Sequence, residues 1–150
     1  MKKWFCLILV FGFLGCATID IPSYIKDEYP YEKTYYSDFT KVLHAVTQTL
    51  EKSGWKISGT SDPQVYERSR AYQDSEMPQI ILFTEIQQRS LFVGTKYMRL
   101  NVQLRKNQEN ATDVEIRYLK VTSILFKNFT SYQNDMFINQ LLKRIEDNIE

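Results

Sequence analysis

The chain of 150 residues has few of the residues that build stapled, metal-bound or loop-rich proteins. Its two cysteines, Cys6 and Cys16, both lie near its start, so we expect no disulfide to hold the fold. Its one histidine, His44, cannot form a zinc site alone. Five glycines and four prolines stand against ten tyrosines and nine phenylalanines, a balance that favours pleated sheet over long loops.

The composition is that of one globular domain. Hydrophobic residues make up 43% of the chain and charged residues 25%, which predicts a folded protein with a single core. The 19 Lys and Arg include Lys2 and Lys3 of the leader described below, which leaves 17 against 18 Asp and Glu. A nucleic-acid partner requires a clustered positive field, so this balance argues against one.

The first 15 residues have the pattern of a secretory signal peptide. Lys2 and Lys3 supply its positive start, and an uncharged apolar run follows over residues 4–14. A membrane span needs about 20 apolar residues, and this run is too short. We therefore expect residues 1–15 to be a signal that is removed from the mature protein.

The run Phe13-Leu14-Gly15-Cys16 resembles the lipobox of bacterial lipoproteins. This resemblance implies that Cys16 is acylated and becomes the first residue of the mature chain. The alternative is an ordinary signal peptide with an incidental cysteine. Ala17, where some sorting patterns have Asp, favours the outer membrane, with the domain in the periplasm.

Residues 16–36 are predicted to be a lipid-anchored tether, because they mix prolines, acids and tyrosines without a sustained period. The alternative is that these tyrosines pack on the domain or bind a partner. Residues 37–150 then form the single domain.

The pattern of residues 37–150 predicts a helix, several strands and a closing helix. Ser37-Asp38 offers an N-cap for a helix whose apolar stripe covers residues 39–50 and which Ser53-Gly54 ends. Strands are predicted over residues 55–60, 80–86, 98–105 and 114–118, with a turn at 107–110, a connection at 126–129 and a helix from Met136 to Ile149. Residues 65–70 are predicted to be a short strand, with a polar loop as the alternative, and the alternative for 80–86 is a helical turn. Apolar and polar residues alternate in 98–105, so one face of this strand is expected to be apolar and the other solvated. Leu119 and Val121 change the alternation, which predicts either a bulge or a strand end covered on both faces.

These elements predict an α+β domain of two layers, in which both helices pack on one face of an antiparallel sheet of about four strands. The helix-Gly-Trp-strand pattern resembles the helix-grip domains of BamC-type lipoproteins over residues 37–150, on Asp38-Phe39, Val42, Ala45-Val46, Leu50 and Ser53-Gly54-Trp55-Lys56-Ile57. The resemblance implies a binding or assembly role in the cell envelope and transfers no functional residue.

The sequence offers no catalytic motif. His44 is predicted to be a surface or boundary residue, and the carboxylates Asp74, Glu76 and Glu85 to be solvated. We expect no metal and no cofactor. The many aromatic residues are expected mainly to fill the core, and the alternative is that they line a ligand groove between helix and sheet.

The resulting hypothesis is a membrane-anchored periplasmic lipoprotein that acts as a non-enzymatic binding or assembly module for an envelope protein or component. The membrane is contacted through the lipid on Cys16. The second hypothesis is a small-molecule or lipid carrier. The third is an enzyme whose carboxylate site only three-dimensional proximity would reveal.

Overall fold

The computed structural model describes residues 19–67, 77–107, 110–125 and 127–149. Within these ranges the chain forms an antiparallel sheet and two α-helices, which confirms the α+β class. The sheet has seven strands where about four were predicted. The elements are β1 (Tyr31–Tyr35), α1 (Phe39–Lys52), β2 (Ile57–Ser61), β3 (Gln79–Thr84), β4 (Gln87–Leu91), β5 (Gly94–Lys106), β6 (Thr112–Ile124), β7 (Lys127–Ser131) and α2 (Asp135–Ile149).

Two long strands form the middle of the sheet. β5 and β6 pair without a break from Gly94 opposite Ile124 to Lys106 opposite Thr112. At one end β1 pairs with β6, and β3 lies between β5 and β2. At the other end β4 pairs with β5 and β7 pairs with β6. We call the four-stranded end, residues 86–98, 119–125 and 127–131, the hairpin end.

Both helices pack on one face of the sheet. The predicted alternation of β5 is confirmed there, since Leu100, Val102 and Leu104 are fully buried in the main core. The same cluster contains side chains from β6 and from both helices: Val114, Ile116, Tyr118, Val42, Ala45, Val46, Leu50, Ile138, Leu141 and Ile145. Packing of two apolar helix stripes on one apolar sheet face accounts for this arrangement.

Helix α1 begins and ends as the sequence predicts. The Asp38 carboxylate accepts a hydrogen bond from the Thr40 N–H at 3.0 Å. Gly54 has φ +81°, and the Trp55 N–H donates to the Leu50 carbonyl at 2.9 Å, the closing bond of a Schellman motif. This turn delivers the buried Trp55 ring into the core, where its centroid lies 6.0 Å from that of Phe137.

The prediction of a tether over residues 16–36 is wrong from Ile19 onward. Residues 31–35 form edge strand β1, and the Tyr35 hydroxyl donates to the Leu142 carbonyl at 2.8 Å. The alternation was hidden because Lys33 points toward the helices, where it pairs with Glu146 at 2.9 Å. Residues 16–18, including Cys16, lie outside the described part of the chain, as does the predicted signal at 1–15.

Three local predictions also differ from the structure. Residues 63–65 form a 3₁₀ turn capped by Asp62, so the predicted strand at 65–70 is wrong over residues 65–67; residues 68–70 lie outside the described ranges. The predicted connection at 126–129 is instead the start of strand β7 over residues 127–129, and residue 126 lies outside the described ranges. Strand β4 was not predicted, because its polar sequence QQRSL leaves it almost fully exposed.

The change of phase at Leu119 comes from coverage of both faces. The pairing of β5 with β6 continues through this region, so the predicted bulge is absent from it. Leu119 and Val121 are buried against Ile25 on the face opposite the helices, which we call the outer face. Of the two alternatives, the covered strand is correct, although it lies well before the end of β6.

Candidate functional site

A segment before β1 crosses the outer face of the sheet. We call residues 19–25 the strap. The Ile25 N–H donates to the Asn101 side-chain oxygen at 2.6 Å, and the Asn101 amide donates to the Ser23 carbonyl at 3.1 Å. The Arg99 guanidinium donates to the Pro22 carbonyl at 2.9 Å. Traced back toward its start, the strap therefore passes Asn101 and then Arg99, in the direction of the hairpin end.

The outer face beneath the strap is more buried from solvent than the sequence predicts. Asn101, Gln103 and Arg117 occupy the polar positions of the alternating strands β5 and β6, and all three are buried. Their polar groups are hydrogen-bonded within the protein, as burial requires. The expected solvated face of β5 is therefore wrong at Asn101 and Gln103.

A buried charge cluster lies on this outer face. The Arg117 side chain is 2% exposed and forms ion pairs with Glu67 and Glu115. It also donates a hydrogen bond to the Gln103 side-chain oxygen at 3.1 Å. The Tyr24 hydroxyl donates to Glu67, and the Tyr24 ring centroid lies 5.3 Å from the Arg117 guanidinium carbon.

This cluster joins three parts of the chain. Tyr24 belongs to the strap, Glu67 follows the 3₁₀ turn, and Arg117 is in β6. The Tyr24 ring stacks on Tyr66 with a centroid distance of 4.7 Å, and Tyr66 meets Phe83 edge-on at 5.6 Å. Burial, and then the hydrogen bond to Glu67, raises the pKa of the Tyr24 hydroxyl above its ordinary value. The hydroxyl stays protonated at neutral pH and fastens the strap to the sheet.

The hairpin end projects apolar side chains from both of its turns. Phe92 and Val93 form the two-residue turn between β4 and β5, and Phe92 is fully exposed. Leu125 begins the turn between β6 and β7 and is 76% exposed, with φ +44°. Gly94 lies opposite Ile124, so the two turns are at the same edge of the domain.

One face of the hairpin end is basic. Arg89, Lys96, Lys120 and Lys127 lie on four neighbouring strands, and the pairing registers put all four on the face that the helices cover further along the sheet. None of them forms an ion pair with any residue that the structure describes. Residues 86–98 and 119–131 contain no Asp or Glu.

No protein-family model and no curated protein matches this chain.

An open groove lies between the strap and the hairpin end. It has a volume of about 590 Å³ and is lined by Ile19, Asp20, Ile21, Ile86, Gln88 and Tyr97. Its mixed lining is compatible with a small amphipathic ligand. Gln88 and Tyr97 point to the outer face, so the groove and the basic residues lie on opposite faces of the hairpin end.

The predicted functional residues do not form a site. His44 is exposed on α1, which confirms its surface placement, and Glu85 is exposed as predicted. Cys16, Asp74 and Glu76 lie outside the described residues. The aromatic side chains of Trp55 and Tyr118 are buried in the main core, and Phe137 packs against both rings.

The sequence analysis predicted neither the charge cluster on the outer face nor the exposed apolar and basic surface of the hairpin end. The signal for the charge cluster was the spacing of Glu115 and Arg117, which puts both on one face of a strand. The signal for the hairpin end was the absence of acids beside bulky apolar residues at 91–93 and 124–126. Among the described residues, no three His, Cys, Asp or Glu side chains converge to hold a metal ion, and no helix is long and apolar enough to cross a membrane.

Proposed function

We propose that this chain is a membrane-anchored lipoprotein of the bacterial cell envelope, whose domain is a non-enzymatic binding module for an envelope component. The observation that carries the proposal is the course of the strap. It runs along the outer face toward the hairpin end, and Cys16 is three residues before Ile19. Three residues span at most about 10 Å, so an acyl group on Cys16 would leave the domain near its exposed apolar turns.

The ion pairing and burial of the charged groups on the outer face support a binding role over a catalytic one. Arg117 faces two carboxylates and the Gln103 amide, and its side chain is closed off from solvent. A general acid or base needs contact with a substrate, and this cluster is instead occupied with holding the strap and the Glu67 segment on the sheet. The exposed apolar and basic surface of the hairpin end is suited to binding.

The relationship to helix-grip domains of BamC-type lipoproteins is part of the same proposal. It is supported by the packing of α1 and α2 together on one face of the antiparallel sheet. The Gly54 turn that leads into Trp55 and β2 supports it further, since this junction carries the sequence resemblance.

A second candidate function is the carriage of a small amphipathic molecule, and the groove beside Tyr97 favours it. Native mass spectrometry of the protein purified from its own membranes would test this role. A stoichiometric bound compound that is lost in Tyr97→Asp would support the carrier. A protein mass without additions would refute carriage.

The anchored-module proposal is tested with Cys16→Ser in the full chain. Serine lacks the thiol that accepts the lipid, so labelling by a fatty-acid probe should disappear and leave an uncleaved or unlipidated protein. His44→Ala is the matched control, because the exposed side chain has no assigned role. It should keep both the label and the membrane location.

A deletion phenotype, where present, separates binding from catalysis. Cys16→Ser should complement poorly, because the anchor supplies the high local concentration at the membrane. His44→Ala should complement fully. An unchanged fatty-acid label in Cys16→Ser would overturn the lipoprotein proposal, and an inactive but folded His44→Ala would overturn the assignment of a non-enzymatic role.

A further inference from the structure

We propose that the hairpin end is a membrane-contact surface, which inserts the apolar side chains of its two turns into a bilayer and binds anionic lipid headgroups with its basic face. This inference deepens the proposed function, since it names the component that the module binds. It depends on the proposed anchor only for the orientation of the domain, because the surface itself consists of residues in β4 to β7.

The geometry of the two turns does not favour the residues that occupy them. Two-residue hairpin turns favour Asn-Gly, Asp-Gly or Gly followed by a polar residue. Here the first turn is Phe92-Val93, and Leu125 has a positive φ that is a true outlier for a bulky side chain. Local sequence that conflicts with its own backbone is expected at functional positions.

These side chains also contribute little to the packing of the domain. Phe92 is fully exposed, Leu125 is 76% exposed and Phe129 is 56% exposed. Leu91 and Val93 extend the same surface. An exposed apolar patch of this kind on one edge of a domain marks a surface that another phase or molecule covers.

The basic face is arranged for an anionic partner. Arg89 lies directly opposite Lys96, and like charges at opposed positions of an antiparallel pair destabilise the sheet. Lys120 and Lys127 extend the positive charge across the next two strands on the same face. With no Asp or Glu in residues 86–98 and 119–131, bound anions would relieve the repulsion.

The combination favours a bilayer over other anionic partners. Nucleic acid would meet the basic face but would leave Phe92 and Leu125 in water. A bilayer accepts both parts, because its apolar interior lies directly beneath a layer of charged headgroups. The strap brings the chain that leads to Cys16 toward the same edge, so an anchored domain could reach this contact without bending away from the membrane.

Vesicle flotation tests the surface without the lipid anchor. The protein used is residues 16–150 with Cys16→Ser, which includes all the described elements. Vesicles contain either phosphatidylcholine alone or phosphatidylcholine with phosphatidylglycerol. We expect binding to the anionic vesicles, and replacement of Lys96 and Lys127 by Gln should weaken it about fivefold per charge removed.

The apolar turns are tested by Phe92→Glu with Leu125→Glu, which should lower the partition onto anionic vesicles by about tenfold or more. The matched control is Tyr36→Glu with Met136→Glu, because both side chains are highly exposed outside the hairpin end. The control should bind as the parent protein does. Circular dichroism and urea unfolding verify that each variant folds.

Leu125→Asn separates a membrane role from a structural one. Asn accepts a positive φ better than Leu, so this variant should unfold at a higher urea concentration while it binds vesicles more weakly. Lower stability together with unchanged binding would overturn the inference. So would equal binding of the Glu variants and the parent, or retention on an acidic protein or nucleic acid with no vesicle binding. Fatty-acid labelling of the full chain reports separately on the anchor, so the two proposals can fail independently.

Discussion

Arg117→Met should be among the most damaging single substitutions in this domain. Arg117 is buried, and the carboxylate side chains that it pairs with are only 9% exposed for Glu67 and 13% for Glu115. Methionine has a similar length but no charge, so both carboxylates would remain in a dry environment without their shared cation. Removing one partner of a buried ion pair costs about 3–5 kcal/mol.

That loss is large against the stability of a small domain, which is typically about 5–15 kcal/mol. It should be measured as the change in unfolding free energy from urea titrations of residues 16–150 with Cys16→Ser. The control is Lys33→Met, which breaks the exposed pair with Glu146. Exposed pairs contribute about 0–1 kcal/mol, so the control should remain close to the parent protein.

A further measurement identifies the cause of the loss. Adding Glu67→Gln and Glu115→Gln to Arg117→Met should recover roughly half of it, because the two side chains that Arg117 pairs with then carry no charge. A loss below about 0.5 kcal/mol in Arg117→Met, or no recovery in the triple variant, would refute the argument.

Two other substitutions test the sheet. Leu100→Asp places a charge at a fully buried position beneath the helices and should lower the unfolding free energy by several kcal/mol, about 3–5, in the same urea assay; wild-type behaviour would mean that the face assignment of β5 is wrong. Gly94→Ala should also lower the unfolding free energy, by about 1–3 kcal/mol, because a Cβ at this position would lie 2.0 Å from the Ser123 carbonyl oxygen. Gly59→Ala is the control: its Cβ would meet no atom within 4 Å, so its unfolding free energy should stay within about 1 kcal/mol of that of the parent.

The parts of the fold that could be predicted are those in which a side-chain period coincides with burial. The stripe of α1, its Asp38 cap and its Gly54 end follow from local sequence, and so does the inward face of β5 at Leu100 and Val102. In each case the residues that carry the signal are neighbours in the chain or lie one turn apart.

The outer face could not be predicted in the same way. Asn101 and Gln103 are polar residues at alternating positions, which ordinarily indicates solvent. They are buried because a segment almost 80 residues away in sequence crosses them and satisfies the Asn101 side chain. Strand β1 was missed for a related reason, since the inward side chain Lys33 finds its partner on the distant helix α2.

Buried and exposed apolar side chains are divided along a single pair of strands. β5 and β6 stay in register from the helix-covered end, where Leu100 is buried, to the hairpin end, where the turns expose Phe92 and Leu125. Buried side chains, including Leu119 and Val121 against the strap, hold both halves, whereas Phe92 and Leu125 are exposed and contribute little to packing. Substitutions at Arg117 should therefore lower the unfolding free energy with little effect on vesicle binding by the folded protein. Substitutions at Phe92 should weaken vesicle binding with little effect on the unfolding free energy.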